Sequence, residues 1–181
     1  MKEADKQKND FFKCQAYLNR IFMAYNSLDT LALHYWFSLL EPLTRKNNFY
    51  DLQFQGKRCV IDFFQLSGDY EKEESESKLL LQEAEKAGSM IGMVVALQSL
   101  GNAYIVTYRD EEALAAYEKA YVLSCKIDNP ALTLEIIHSV TEVIQKIKDY
   151  PKWLKYVKLE EDCINESIRH SKVNFSLQSC I

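Results

Sequence analysis

An interval of 40 residues organises this sequence. One series of charged residues at this interval consists of Lys46, Lys86 and Lys126. A second series consists of Asp29, Asp69, Arg109 and Asp149. Aromatic and aliphatic residues recur at the same spacing. A unit of this size buries its apolar face only against a neighbouring copy, so we expect a stack of repeats rather than a compact globule.

The composition favours helices in this stack. The 181 residues are 48% hydrophobic and 27% charged, which is enough for a folded core. Five glycines and three prolines are few for a sheet-rich fold of this length. The net charge of −4 argues against a nucleic-acid-binding protein, which usually carries clustered positive charge.

No segment predicts secretion or membrane insertion. The longest apolar stretch, residues 31–40, is too short to span a bilayer. The polar N-terminus, MKEADKQKND, lacks the apolar core of a signal peptide. The five cysteines are scattered and never paired as CxxC, so we expect mostly buried thiols and no zinc site. Such thiols favour the cytoplasm, and an extracytoplasmic sensor domain is the alternative.

The clearest repeat unit begins near Val94. Its first apolar stripe consists of Leu97, Leu100, Gly101 and Tyr104, and its second consists of Ala113, Tyr117 and Ala120. Each stripe has the spacing of one helix face, and a polar turn around Arg109 separates them. The small residues Gly101 and Ala113 would let two antiparallel helices approach closely. The unit is therefore predicted to be a helical hairpin.

This unit resembles the tetratricopeptide repeat, whose Leu-x2-Leu-Gly-x2-Tyr and Ala-x3-aromatic-x2-Ala pattern it matches nearly residue for residue. Leu97 stands where the family usually has tryptophan, and Cys125 stands where it usually has proline. The interval also exceeds the family's usual length of about 34 residues. Copies one and two intervals away are weaker, with Lys57, Glu73 and Glu160 at positions that are small or apolar in the family.

The resemblance implies an all-α fold, a right-handed superhelix (α-solenoid) of about four antiparallel helical hairpins. We expect one domain over residues 10–170. Its units would span about 14–53, 54–93, 94–133 and 134–173, with tails at 1–9 and 171–181. The first unit is rich in large aromatic residues, which either form a cap buried by its own helices or an exposed contact surface. Self-association is therefore an open alternative.

A groove is the expected binding surface, because the first helix of each hairpin lines the concave face of a tetratricopeptide-like superhelix. Side chains offset by one residue from each buried stripe would face this groove. The candidate peptide-binding residues are Tyr25, Arg58, Asp62, Gln65, Gln98, Asn102, Glu135, His138 and Glu142. Carboxylates on this line would repel an acidic tail. A basic or neutral protein or peptide is therefore the expected partner, with no nucleic acid and no membrane contact.

No motif in the sequence predicts catalysis or a cofactor. Glu135-x-x-His138 matches half of a helical carboxylate–histidine metal motif, and no second pair accompanies it. The sequence contains no GxGxxG, Walker loop, GxSxG or HExxH motif. None of the three histidines lies beside a serine or cysteine in a recognised nucleophile pattern. We therefore expect no enzymatic activity, no metal and no cofactor.

Two hypotheses for the function remain open from the sequence. The leading one is a non-catalytic scaffold that binds a protein or peptide on the concave face of the superhelix. The alternative is a sensory or regulatory input domain of a bacterial signalling or transcription-control protein. The long interval and the tyrosine-rich helices look similar to the repeat regions attached to such regulators. In that case an output domain would follow the C-terminus.

Overall fold

The protein is a stack of helical hairpins. The structure, a computed structural model, describes residues 2–127 and 129–178, with side chains described for 5–127 and 129–165. Over these residues it contains eight α-helices and no strand. The helices are α1 (Lys2–Asn26), α2 (Thr30–Asn47), α3 (Tyr50–Ser67), α4 (Tyr70–Ala87), α5 (Met90–Val106), α6 (Asp110–Ser124), α7 (Pro130–Ile147) and α8 (Tyr150–Gln178). The predicted all-α, solenoid-like arrangement of four hairpins is confirmed.

The helices begin at regular intervals along the chain. From α2 onward each helix begins 20 residues after the previous one, so successive hairpins are 40 residues apart. The second, third and fourth hairpins each begin four residues before the predicted units, because the units were counted from Val94, which lies one turn inside α5. The predicted tails also differ from the structure, since α1 extends back to Lys2 and α8 extends to Gln178. Residues 1 and 179–181 lie outside the described residues.

Helix ends explain the two charged series in the sequence. Asp29, Asp69 and Asp149 precede α2, α4 and α8, and each side chain accepts a hydrogen bond from the backbone N–H three residues later. Such a cap satisfies one of the unpaired donors at a helix start. Lys46 and Lys86 lie in the last turns of α2 and α4, where positive charge is favourable beside the helix dipole.

Arg109 departs from this capping series. It precedes α6, and its side chain makes no hydrogen bond to the backbone of that helix. Its guanidinium instead donates to Glu112 in the first turn of α6 and, at 2.8 Å, to Glu74 of α4 in the preceding hairpin. It also lies 4.3 Å from the ring centroid of Tyr104 on α5. Arg109 therefore links the second and third hairpins.

Apolar side chains from neighbouring hairpins form the core. The largest cluster combines buried residues of α5 and α6 with those of α7 and Tyr156 of α8. A second cluster joins Phe54 of α3, Leu80 of α4 and Val95 of α5. A third joins α1 and α2 to Cys59 of α3. Each cluster thus spans at least one junction between hairpins, as stacking of incomplete units requires.

The first hairpin buries only part of its aromatic side chains. Tyr17 packs beside Trp36 with ring centroids 5.9 Å apart, and Phe11 meets Phe49 edge-on at 5.3 Å. Phe12, in contrast, is exposed. The aromatic residues therefore form a self-buried cap over part of the hairpin and leave other rings on its surface.

The cysteines only partly follow the prediction of buried thiols. Cys14 and Cys59 are buried, Cys163 is half-buried and Cys125 is exposed. Cys180 lies outside the described residues. Among the helices whose residues are described, none has the length and apolar character needed to cross a membrane.

Glu73 of α4 is a charged residue at a core position. Its side chain is 0% exposed, and neither carboxyl oxygen has a hydrogen-bond partner within the described residues. The equivalent positions in the other hairpins are occupied by Leu33, Ala113 and Trp153. Burial raises the pKa of Glu73 to about 8, and the nearby charge of Asp62 adds to this effect. The folded protein therefore favours the protonated, uncharged carboxyl group.

This burial predicts a pH-dependent stability. Because the pKa of Glu73 is higher in the folded state than its ordinary value of 4.5, its stabilising contribution is present below about pH 4.5 and is lost as pH rises through 8. We expect the unfolding free energy to fall by on the order of 5 kcal/mol across this range, and Glu73→Gln to remove most of the fall. Urea denaturation at several pH values measures both, with Glu71→Gln, an exposed site on α4, as the control. Parallel pH profiles for wild type and Glu73→Gln would contradict the assignment.

Close packing at Gly101 gives a second prediction. A Cβ atom at this position would lie well inside van der Waals contact of the Tyr117 ring. The Tyr117 hydroxyl donates to Asn102 Oδ1 at 2.6 Å, which fixes the ring in place. We expect Gly101→Ala to destabilise the protein by about 1–3 kcal/mol, despite the better helix propensity of alanine. Thermal unfolding of Gly101→Ala with and without Tyr117→Leu tests this, since truncating the ring should recover part of the loss.

Candidate binding site on the first-helix face

The candidate binding residues all lie on the first helices of the hairpins. They are Tyr25 on α1; Arg58, Asp62 and Gln65 on α3; Gln98 and Asn102 on α5; and Glu135, His138 and Glu142 on α7. The structure gathers eight of them around two pockets. Tyr25, Arg58, Asp62 and Glu135 line a pocket of about 470 Å³, and Gln98 bonds to its wall. Gln65, Asn102 and Glu142 line a smaller pocket of about 270 Å³. His138 lies on the exposed surface beside Glu142.

The larger pocket, which we call the cross-repeat pocket, receives residues from all four hairpins. Its apolar walls come from Phe22 of α1, Ile91 and Val95 of α5, and Leu132 of α7. Its charged wall comes from the α3 residues Arg58 and Asp62 together with Glu135. Such a mainly apolar cavity with a few convergent polar groups is the usual form of a ligand site.

Arg58 is the centre of a polar network in this wall. Its Nε donates to Asp62 Oδ2 at 3.1 Å, and its two terminal nitrogens donate to Gln98 Oε1 at 3.1 Å and Glu135 Oε1 at 3.2 Å. Gln98 Nε2 also donates to Glu135 Oε1 at 3.2 Å. Ser99 Oγ donates to the second oxygen of Asp62 at 2.7 Å. Three helices of the face, α3, α5 and α7, are thus joined through one guanidinium group and its partners.

The charged groups of this network are partly shielded from solvent. Burial tends to lower the pKa of Arg58, but the carboxylates of Asp62 and Glu135 outweigh it and raise that pKa. Burial raises the pKa of Asp62, while Arg58 and the hydrogen bond from Ser99 act in the opposite direction. The net effect raises the pKa of Asp62, and the wall contains two carboxyl groups for one guanidinium.

The prediction required the groove residues to be exposed to solvent, but two of them are buried. Gln98 is 2% exposed and Asp62 is 5% exposed, so neither presents its side chain freely to a partner. The reason is that α3 and α5 pack directly against each other, and their polar side chains bond across the junction. Gln65, Asn102 and Tyr25 are half-buried, whereas Glu135, His138 and Glu142 are exposed.

The polar network also divides the expected groove. Hydrogen bonds join Arg58 of α3 to Gln98 of α5 and to Glu135 of α7. The cross-repeat pocket lies toward the N-terminal ends of α5 and α7, and the smaller pocket lies toward the C-terminal ends of α3, α5 and α7. Two pockets on the expected groove face therefore flank a polar bridge.

His138 lies among carboxylates at the edge of this face. Its Nε2 is 3.4 Å from Glu142 Oε1, and its Nδ1 is 3.9 Å from Glu160 Oε1 on α8. Over the described residues, no group of three or more histidine, cysteine or acidic side chains has the arrangement of a metal site. Glu160, a departure from the family pattern in the sequence, thus adds negative charge to the edge of the binding face.

Some residues of the site were not predicted from the sequence. Ile91 and Leu132 were not predicted because both lie about one turn before the stripes that defined the groove. Ser99 was also missed, although a hydroxyl within the otherwise apolar segment of α5 is a recognisable signal of a buried hydrogen bond.

Comparison with known proteins supports the fold and little else. No model of a known protein family matches this sequence, and no curated protein sequence matches it either. The structure is similar to the crystal structure of BtubC (BKLC) from P. vanneervenii, with a TM-score of 0.65 and 12% sequence identity. The similarity covers 85% of this chain and 64% of the BtubC chain, so this chain spans less than two thirds of BtubC. At this identity the likeness shows a shared helical fold alone.

The network predicts strong coupling between Arg58 and Asp62. Removing the guanidinium leaves a buried carboxylate without its cation, which typically costs about 3–5 kcal/mol. We expect Arg58→Met to lose stability of this order and Arg58→Met with Asp62→Asn to recover a large part of it. Urea denaturation of both single variants and the double variant measures the coupling free energy. Additive losses would contradict the network.

Proposed function

We propose that this chain is a non-catalytic scaffold of tetratricopeptide-like repeats that binds a protein or peptide segment on its first-helix face. The cross-repeat pocket is the single observation that carries the proposal. Its walls come from four hairpins, so it exists only in the assembled stack. Apolar walls that surround a volume of about 470 Å³ fit an anchoring side chain of a partner better than they fit solvent.

The charges around the pocket support a basic or neutral partner. Arg58 is already engaged by Asp62, Gln98 and Glu135, so its positive charge is largely neutralised. Both hydrogen bonds described for Glu135 end on Oε1, which leaves Oε2 as an acceptor at the pocket wall. A lysine or arginine beside an apolar residue of the partner would complement this arrangement.

The same contacts support binding rather than catalysis. Arg58 and Asp62 are engaged with each other, and His138 lies between two carboxylates outside the pocket. Catalytic sites need a nucleophile or a general base within hydrogen-bond reach of a bound substrate. The ionisable groups of the pocket are arranged as a structural bridge, which fits a binding surface.

Calorimetry with a panel of peptides tests the proposal. Peptides that pair an apolar residue with lysine or arginine should bind more tightly than matched peptides with glutamate. The preference should weaken when the salt concentration is raised, because screening reduces charge attraction. A preference for acidic peptides, or no binding by any member of the panel, would contradict the proposed partner class.

A pocket-filling variant locates the site. Ala131 is an exposed residue that lines the cross-repeat pocket, so Ala131→Trp should occupy the cavity without disturbing the core. We expect affinity for the basic peptides to fall at least tenfold, a loss of about 1.4 kcal/mol. Ala115→Trp, at an exposed position on α6 outside the pocket, is the matched control and should bind normally. Equal affinity of the two variants would place the binding site elsewhere.

A further inference from the structure

One ion pair in this stack skips a repeat. Within the described residues, the other side-chain hydrogen bonds between hairpins join positions 35 to 40 residues apart, such as Arg109 with Glu74 and Arg58 with Gln98. Arg58 of α3 and Glu135 of α7 are 77 residues apart, with Nη2 and Oε1 at 3.2 Å. The pair therefore connects the second hairpin directly to the fourth.

Such a contact requires curvature of the stack. In a solenoid each repeat touches only its neighbours, so second neighbours meet only where the stack bends toward them. Arg58 and Glu135 both lie on first helices, so this face is the concave one. Gln98 of α5 bonds to both residues and fills the gap between them. The degree of bending is therefore linked to whether this one pair is formed.

The two members of the pair differ in how firmly they are held. Arg58 has a 24% exposed side chain and two further partners, Asp62 and Gln98. Glu135 has a 51% exposed side chain and lies at the pocket wall. Solvent and partner molecules can reach Glu135 far more easily than Arg58. Glu135 is thus the member that can leave while Arg58 stays in its network.

We propose that the Arg58–Glu135 ion pair is a strap that holds the stack in its curved form, and that a cationic side chain of a partner opens the strap by taking Glu135. This coupling rests on the proposed function, because it assigns a structural effect to the basic residue of the partner. By linkage, whatever opens the strap favours binding of the cationic segment, and the bound segment favours the open form.

A distance measurement in the free protein tests the strap without any partner. Spin labels carried by unnatural amino acids at Gln82 of α4 and Lys155 of α8, both exposed, report the separation of the second and fourth hairpins. We expect Glu135→Ala to give a longer and broader distance distribution than wild type. Glu142→Ala, on the same helix with no bond to Arg58, is the control and should match wild type. Circular dichroism checks that every variant keeps its helices.

Salt and ligand provide two further arms of the same experiment. About 1 M salt reduces the screening length to roughly 3 Å and should lengthen the wild-type distance but not that of Glu135→Ala. A basic peptide from the calorimetric panel should have the same effect. Distances that are equal in wild type and Glu135→Ala overturn the strap, even if peptides bind. A strap that opens with salt while no peptide binds leaves the strap standing and overturns the proposed function.

Discussion

Each hairpin of this protein can bury its apolar face only against the next hairpin, and the rest of the structure depends on that constraint. Phe54 illustrates it, because this α3 side chain is buried in a cluster that includes Val95 of α5, the first helix of the next hairpin. Cohesion is therefore distributed along the stack in nearest-neighbour junctions. This stacking also sets the positions of the polar contacts, because a side chain at a junction bonds to a partner about one 40-residue interval away in the sequence.

Polar residues at these junctions have two different physical roles. Asp62 is buried but paired with Arg58 and Ser99, so its charge helps to align α3 and α5. Glu73 is buried among neighbours that give it no hydrogen bond within the described structure, so it is tolerated mainly as an uncharged group. The same chain thus contains a compensated and an uncompensated buried carboxyl group on adjacent helices.

The sequence could predict the number of helices and their spacing because both depend on local pattern. The 40-residue series that includes Asp69 and the stripe through Leu100 and Tyr104 are read directly from the residues. The burial of Gln98 could not be read in this way. A periodic pattern identifies a helix face. The approach of a neighbouring helix decides whether a polar side chain on that face is exposed to solvent or buried in a hydrogen bond.

In the candidate site, too, the helix face of each residue could be predicted from the sequence, but the contacts between repeats could not. The sequence placed Arg58 and Glu135 on one face, since both occupy the same offset from a buried stripe. It did not predict that they touch, because their contact depends on the summed bend of two junctions. Curvature of a stack is a property of several interfaces together, and no single repeat specifies it.

Arg109 gives the third hairpin an unusual dependence on the second. The other second helices start with an aspartate that caps the helix backbone. In contrast, α6 starts beside an arginine, one of whose carboxylate partners, Glu74, belongs to the hairpin before it. The start of α6 is therefore tied to its own first turn through Glu112 and to α4 through Glu74. A change at any member of this bridge should be felt in both the second and the third hairpin.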